Sequence, residues 1–149
     1  RLTDDVMERL KAVDGVTVDE TTRARVLALM PGLKDRARTL VELTDNAAFL
    51  GRHVPLPFNA KAEKLLTPEA RTLLSELARD LAVVSPFTAE NIDAALRRFA
   101  EAGGHKLGSV AQPLRAAVTG SNSSPGIDAT LHALGRDEVL ARIGAVLHG

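Results

Sequence analysis

Apolar residues recur along this chain at intervals of three and four, and alternation of period two over more than a few residues is hard to find. The spacing predicts an all-α protein. Val6, Leu10 and Val13 make the first stripe, with Thr3 placed to cap it by accepting a hydrogen bond from the free amides of the first turn and Gly15 to stop it. A second helix is expected from Asp19 to Met30, on Val26, Leu29 and Met30. Pro31-Gly32 should break it before a longer helix from about Lys34 to Leu50. In that longer helix Ala37, Leu40, Val41, Thr44, Ala47 and Ala48 face inward, so Arg36, Arg38 and Glu42 face elsewhere.

Pro55 and Pro57 force an extended segment, which is the clearest break in the chain. It divides the sequence into two consecutive helical subdomains, residues 1–60 and 61–149. After a short helix through Ala60 to Leu66, Thr67-Pro68-Glu69 supplies an N-cap, a proline at the first helical position and an acid in the first turn. Leu73, Leu74, Leu77, Leu81 and Val84 line that helix, and Pro86 ends it. Thr88-Ala89-Glu90 starts the next, on Ile92, Leu96 and Phe99, with Gly103-Gly104 as its stop. Val110, Leu114 and Val118 share a further face, in which Pro113 should kink the helix or make it begin late. Ser121 to Gly126 is a loop of small and polar residues. Ser124 is placed to cap a helix with Pro125 first and Gly135 as its end, and a last helix holds Val139, Leu140, Ile143 and Val146.

Composition narrows the function classes. Of 149 residues, 45% are hydrophobic and 26% charged, the balance of an ordinary globular protein, and no run is long and apolar enough for a spanning helix. Lys plus Arg equals Asp plus Glu at 19 each, so a long-range basic field toward nucleic acid is absent and any anion site must be local. The lack of cysteine excludes disulfides, thiol nucleophiles and thiolate metal sites. The charged start, Arg1 to Asp5, has no apolar stretch of the kind a signal peptide needs, and a cytoplasmic location is expected.

No catalytic constellation stands out. His53, His105, His132 and His148 are not at the three- or four-residue spacing that puts two ligands on one helical face, so no metal is expected. Glycine-rich phosphate loops and a Gly-x-Ser-x-Gly elbow are absent. Asp4-Asp5 and Asp137-Glu138 sit near expected helix starts, where the dipole favours negative charge without any catalytic role.

One stretch is distinctive. Lys106 to Gly126, with Gln112-Pro113-Leu114-Arg115, then Thr119-Gly120, then Ser124-Pro125-Gly126, resembles the signature of the carboxy-terminal half of bacterial-type glutamyl-tRNA synthetases. Arg36 to Leu40 with Ala48-Phe49, and Leu131 to Ile143, resemble the flanking family segments in the same order, so the resemblance covers the whole chain. It implies the anticodon-binding part of such an enzyme, two α-helical subdomains that follow a catalytic domain. The family's two ATP-site signatures, His-x-Gly-His and a Ser-Lys loop, do not occur here, so this chain alone is not expected to activate glutamate. The family's ATP and magnesium belong to the catalytic domain, and no cofactor is expected in this part. The partners implied are the anticodon loop of glutamate tRNA and the catalytic domain of the same polypeptide, in a monomer without membrane contact.

The resemblance also places RNA contacts at Arg36, Arg97, Arg115 and the turn Ser124-Pro125-Gly126-Ile127, with Arg36 inspecting the third anticodon base. The residue chemistry fits, because anticodon bases lie in a single-stranded loop and arginine's fork engages two acceptors at once. Other readings of the same residues remain. Arg97 can belong to a solvated helix surface, Arg115 can cap carbonyls freed by Pro113, and Ser124 can serve as a plain N-cap. Gln112 can bond a base or mend the proline break. Phe49, Phe58, Phe87 and Phe99 occupy apolar positions suited to core packing, which leaves stacking to arginine planes, Pro125 or Ile127. The competing function is a helical protein-interaction module without RNA recognition.

Overall fold

The computed structural model describes residues 1–148, and among them nine α-helices and no strand are found. The first helix, α1 (Leu2–Leu10), buries Val6 and Leu10 as the spacing predicts. Thr3 does not cap it: the helix already begins at Leu2, and Thr3 is buried within it.

Helix α2 (Glu20–Asp35) is capped by Asp19, whose carboxylate accepts from Thr22 N–H at 2.9 Å. The expected break at Pro31-Gly32 does not occur. Pro31 has no N–H to offer the carbonyl one turn back, but Leu27 and Pro31 both face solvent, where water can satisfy that carbonyl. The chain breaks later, across Arg36 to Thr39. The helix expected over 34–50 is therefore the tail of α2, a turn, and a separate α3 (Leu40–Ala47). The cause is local chemistry. Thr39 Oγ1 accepts from Glu42 N–H, and the Glu42 carboxylate reaches back to Arg38 N–H at 2.6 Å, close to a capping box.

A 3-10 turn (Ala48–Gly51) and the extended proline segment lead to α4 (Ala60–Leu65) and α5 (Pro68–Ala82). Thr67 caps α5, and Thr88 caps α6 (Ala89–Gly103), both as the sequence predicts. Helix α7 (Leu107–Thr119) lies at the centre, with Val110, Leu114, Ala116, Ala117 and Val118 fully buried against α4, α5, α6, α8 (Ile127–Leu134) and α9 (Arg136–His148). Pro113 neither delays nor ends α7. The carbonyl it deprives is that of Ser109, on the exposed side of the first turns.

The proline segment lies against the end of α7. Asn59 N–H donates to Gly120 carbonyl at 2.9 Å, and the Asn59 side chain both caps α4 and donates to Ser121 Oγ. Residues before and after this segment share one apolar cluster, from Val6 to Val146, and α2 packs directly on α8. A buried arginine fastens the two sides together. Arg142, 1% exposed, donates to the carbonyls of Phe49, Arg52 and Val118 at 2.7–2.9 Å and to Glu138 at 2.8 Å. Burial pushes its guanidinium pKa down, and Glu138 works in the opposite direction.

Candidate nucleic-acid interface

The packing of α2 on α8 brings the end of one onto the start of the other. Gly32 sits so close to Pro125 that a Cβ there would lie 2.7 Å from the proline side chain. A larger residue would push the Ser124-Pro125-Gly126 turn outward. Arg36, the C-cap of α2, is carried to the same place and is exposed.

Arg115 approaches from α7. Its Nε donates to Ser124 Oγ at 2.9 Å, and its side chain is half-buried. Neither Arg36 nor Arg115 takes part in an ion pair among the described residues. The Arg115 guanidinium is held below its ordinary pKa first by burial and then by the positive charge of Arg36. Two guanidinium groups thus lie near each other with no carboxylate between them, an arrangement that costs free energy and is relieved by an anion or an acceptor-rich ligand. Arg115 does not spend its Nε on the carbonyls freed by Pro113; that bond goes to Ser124.

The turn itself differs from the expected cap. Gly126, not Ser124, is the N-cap of α8, and Ser124 is buried with its hydroxyl donating to Pro125 carbonyl at 2.8 Å. Pro125 is buried, Gly126 exposed and Ile127 half-buried against the core, so Gly126 and the first turn of α8 form the accessible part. Thr130, fully buried, donates to the same Pro125 carbonyl at 3.2 Å.

Arg97 stands on the exposed side of α6. Its Nε donates to Asp93 at 2.8 Å, and that bond, the Asp93 charge and the more distant Asp128 charge raise its pKa. Because Asp128 is in the first turn of α8, Arg97 lies beside the same turn, but its guanidinium is already engaged. Gln112 is exposed and lines a shallow groove with Lys64 from α4, Thr67 and Glu69 from the start of α5, and Lys106. It bonds no backbone carbonyl around Pro113. The structure therefore gathers Arg36, Arg115 and the 124–127 turn, puts Arg97 at their edge, and sets Gln112 on a neighbouring groove.

Sequence reasoning missed Thr130. The signal was its place beside Leu131 on the buried face of α8, where a hydroxyl needs a partner. Three of the four phenylalanines, Phe58, Phe87 and Phe99, are partly buried against the core, and Phe49 is buried in it, as expected. No helix among the described residues is long and apolar enough to cross a membrane, and no group of three or more metal-ligating side chains occurs among them.

The family model described as an anticodon binding domain matches residues 1–147. Glutamate–tRNA ligase 1 of Gluconacetobacter diazotrophicus is 75% identical over 146 residues, 98% of this chain and 31% of that protein. The corresponding ligase of Gluconobacter oxydans is 64% identical over 147 residues. The crystal structure of a glutamate tRNA ligase from Elizabethkingia meningosepticum superimposes with a TM-score of 0.76 at 26% identity, covering 99% of this chain and 29% of that one. The chain thus spans about 31% of the length of the curated relatives it matches. A helical, sheet-free architecture among the described residues and these similarities over nearly the whole sequence lead to one assignment: the chain belongs to the anticodon-binding domain family, in the form found in glutamate–tRNA ligases.

Proposed function

We propose that this chain binds the anticodon loop of glutamate tRNA and so presents that tRNA for glutamylation by the catalytic domain of a longer synthetase polypeptide. The observation that carries this reading is the pair Arg36 and Arg115, two guanidinium groups near each other without a carboxylate partner, beside the start of α8. Arg115 offers its two outer nitrogens as a fork to base acceptors or to a phosphate, and Arg36 inspects the third anticodon base. The exposed Gly126 lets RNA approach the backbone of the turn closely, and the half-buried Ile127 gives it an apolar flank. Arg97 joins by exchanging Asp93 for RNA, and Gln112 extends the surface along the neighbouring groove. ATP and magnesium act in the catalytic domain, and this chain by itself does not activate glutamate. It acts as a monomer in the cytoplasm, and no membrane takes part.

Titration with glutamate tRNA, and with the same tRNA carrying an altered anticodon, tests the proposal. Affinity should fall on changing the anticodon. It should also fall with salt, by a slope of about −1.4 in log K against log salt if the two arginines each neutralise one phosphate of a single strand. Equal binding to both RNAs would leave a basic surface without a reader. Salt-independent binding would favour a protein-interaction module.

A further inference from the structure

The Ser124-Pro125-Gly126 turn is held from the inside by two hydroxyl groups, and the same bonds fix the arginine beside it. The single hydroxyl proton of Ser124 goes to the Pro125 carbonyl at 2.8 Å. With that proton committed, Ser124 Oγ has only lone pairs to turn toward Arg115, whose Nε donates to it at 2.9 Å. Thr130, fully buried, donates to the same Pro125 carbonyl at 3.2 Å, and its N–H bonds the Gly126 carbonyl at 2.9 Å. The bonds run in one line: Thr130 to the Pro125 carbonyl, that carbonyl to the Ser124 hydroxyl, that hydroxyl to the Arg115 guanidinium.

We infer that Thr130 is a positioning residue for tRNA recognition: by holding the Pro125 carbonyl it orients the Ser124 hydroxyl, and through it the plane in which Arg115 presents its two outer nitrogens to RNA. The inference rests on the anticodon-reading proposal above and deepens it. A guanidinium is rigid and planar, so fixing Nε by one bond fixes where Nη1 and Nη2 lie, apart from rotation about the chain that leads to them. Ser124 acts from beneath the surface in this arrangement, as its burial requires.

Thr130→Val keeps the shape of the side chain and removes the donor. Titrated with the anticodon stem-loop of glutamate tRNA, the folded variant should bind about 2- to 10-fold more weakly, the net worth of one hydrogen bond. Thr130→Ser should restore the affinity. A double-mutant cycle separates positioning from general support of the fold: combined with Arg115→Ala, Thr130→Val should produce no further loss. An unchanged affinity in the single variant, or the same loss with and without Arg115, overturns the inference. If Thr130→Val does not fold, Ser124→Ala goes through the same cycle and is judged by the same outcomes. Selectivity of the wild-type chain for the correct anticodon is read first. Its absence defeats the anticodon-reading proposal, whereas its presence with an additive cycle defeats only the role of Thr130.

Discussion

Arg115 is unusual among the arginines here because its surroundings oppose its charge. Burial and the neighbouring Arg36 both lower its pKa, and no ion pair compensates. For a base, a folded-state pKa below the unfolded value means that the charged form is less favourable in the fold than in the unfolded chain, at every pH below the guanidinium range. Relief of that charge offsets the lost Ser124 bond and packing, so Arg115→Ala should leave the thermal midpoint near that of the wild type while weakening binding of glutamate tRNA about 5- to 100-fold. A variant that unfolds would make Arg115 a structural residue instead. Arg36 is exposed, so Arg36→Gln should spare stability and relax discrimination at the third anticodon base while total affinity changes modestly. Binding measured across tRNAs that differ only at that base decides this. At this scale the sequence was legible where the residue type carries the chemistry. Arg36, Arg115 and Gly126, singled out by residue type and by the resemblance, come together at one accessible turn. Ser124 was not legible, because its hydroxyl suits a cap, a ligand or an internal bridge equally well and only burial decides among them.

Elements were readable to the extent that their ends are set by local bonds. Thr67 and Thr88 cap α5 and α6 because a hydroxyl one residue before the helix meets an amide three residues on, a relation wholly within the sequence. Thr39-Leu40-Val41-Glu42 carries the same signal and marks the true start of α3, but the apolar period running through it argued for one continuous helix. Pro31 misled in the other direction, since whether a missing N–H breaks a helix depends on whether the deprived carbonyl faces water. The glycines that end α6 and α7 test how far local rules reach. Gly104 has φ of 68° with nothing within 4 Å of an added Cβ, so Gly104→Ala should cost only the left-handed conformation, about 1–2 kcal/mol. Gly120 has φ of 77°, but an added Cβ would lie 2.2 Å from the Pro57 carbonyl oxygen. Gly120→Ala should thus cost clearly more, about 3 kcal/mol or above, and also displace the loop that leads to Ser124. Urea unfolding of the two variants side by side checks the difference, and equal costs would mean that the Pro57 segment yields freely.

At the scale of the whole molecule, the 124–127 turn and the arginines beside it depend on contacts between distant stretches of chain. Arg36 reaches it because α2 packs on α8, and α9 in turn holds the segment before the prolines. Arg142 bears on this directly, since one buried side chain supplies donors to Phe49, Arg52 and Val118 at once. Nothing in the sequence marked it, because in the pattern of α9 it is an ordinary arginine next to the apolar Ile143. Arg142→Met keeps much of the volume but takes the guanidinium donors away from these carbonyls and leaves Glu138 only the longer pair with Arg25 at 4.0 Å, so it should destabilise the chain by about 3 kcal/mol. The loss should not be uniform. In the variant, amide exchange should quicken first across residues 48–52 and at the end of α7, while the interior of α5, capped and packed on its own account, keeps its protection until global unfolding. RNA affinity supplies the second half of the argument. If the 48–52 segment and α7 are held in register by Arg142, then loosening it lets α2 shift against α8, and Arg36 loses its place beside Arg115. Under conditions where Arg142→Met is still folded, binding of glutamate tRNA should weaken although the substituted residue is buried, and unchanged binding would show that α2 and α8 hold the paired arginines without help from α9.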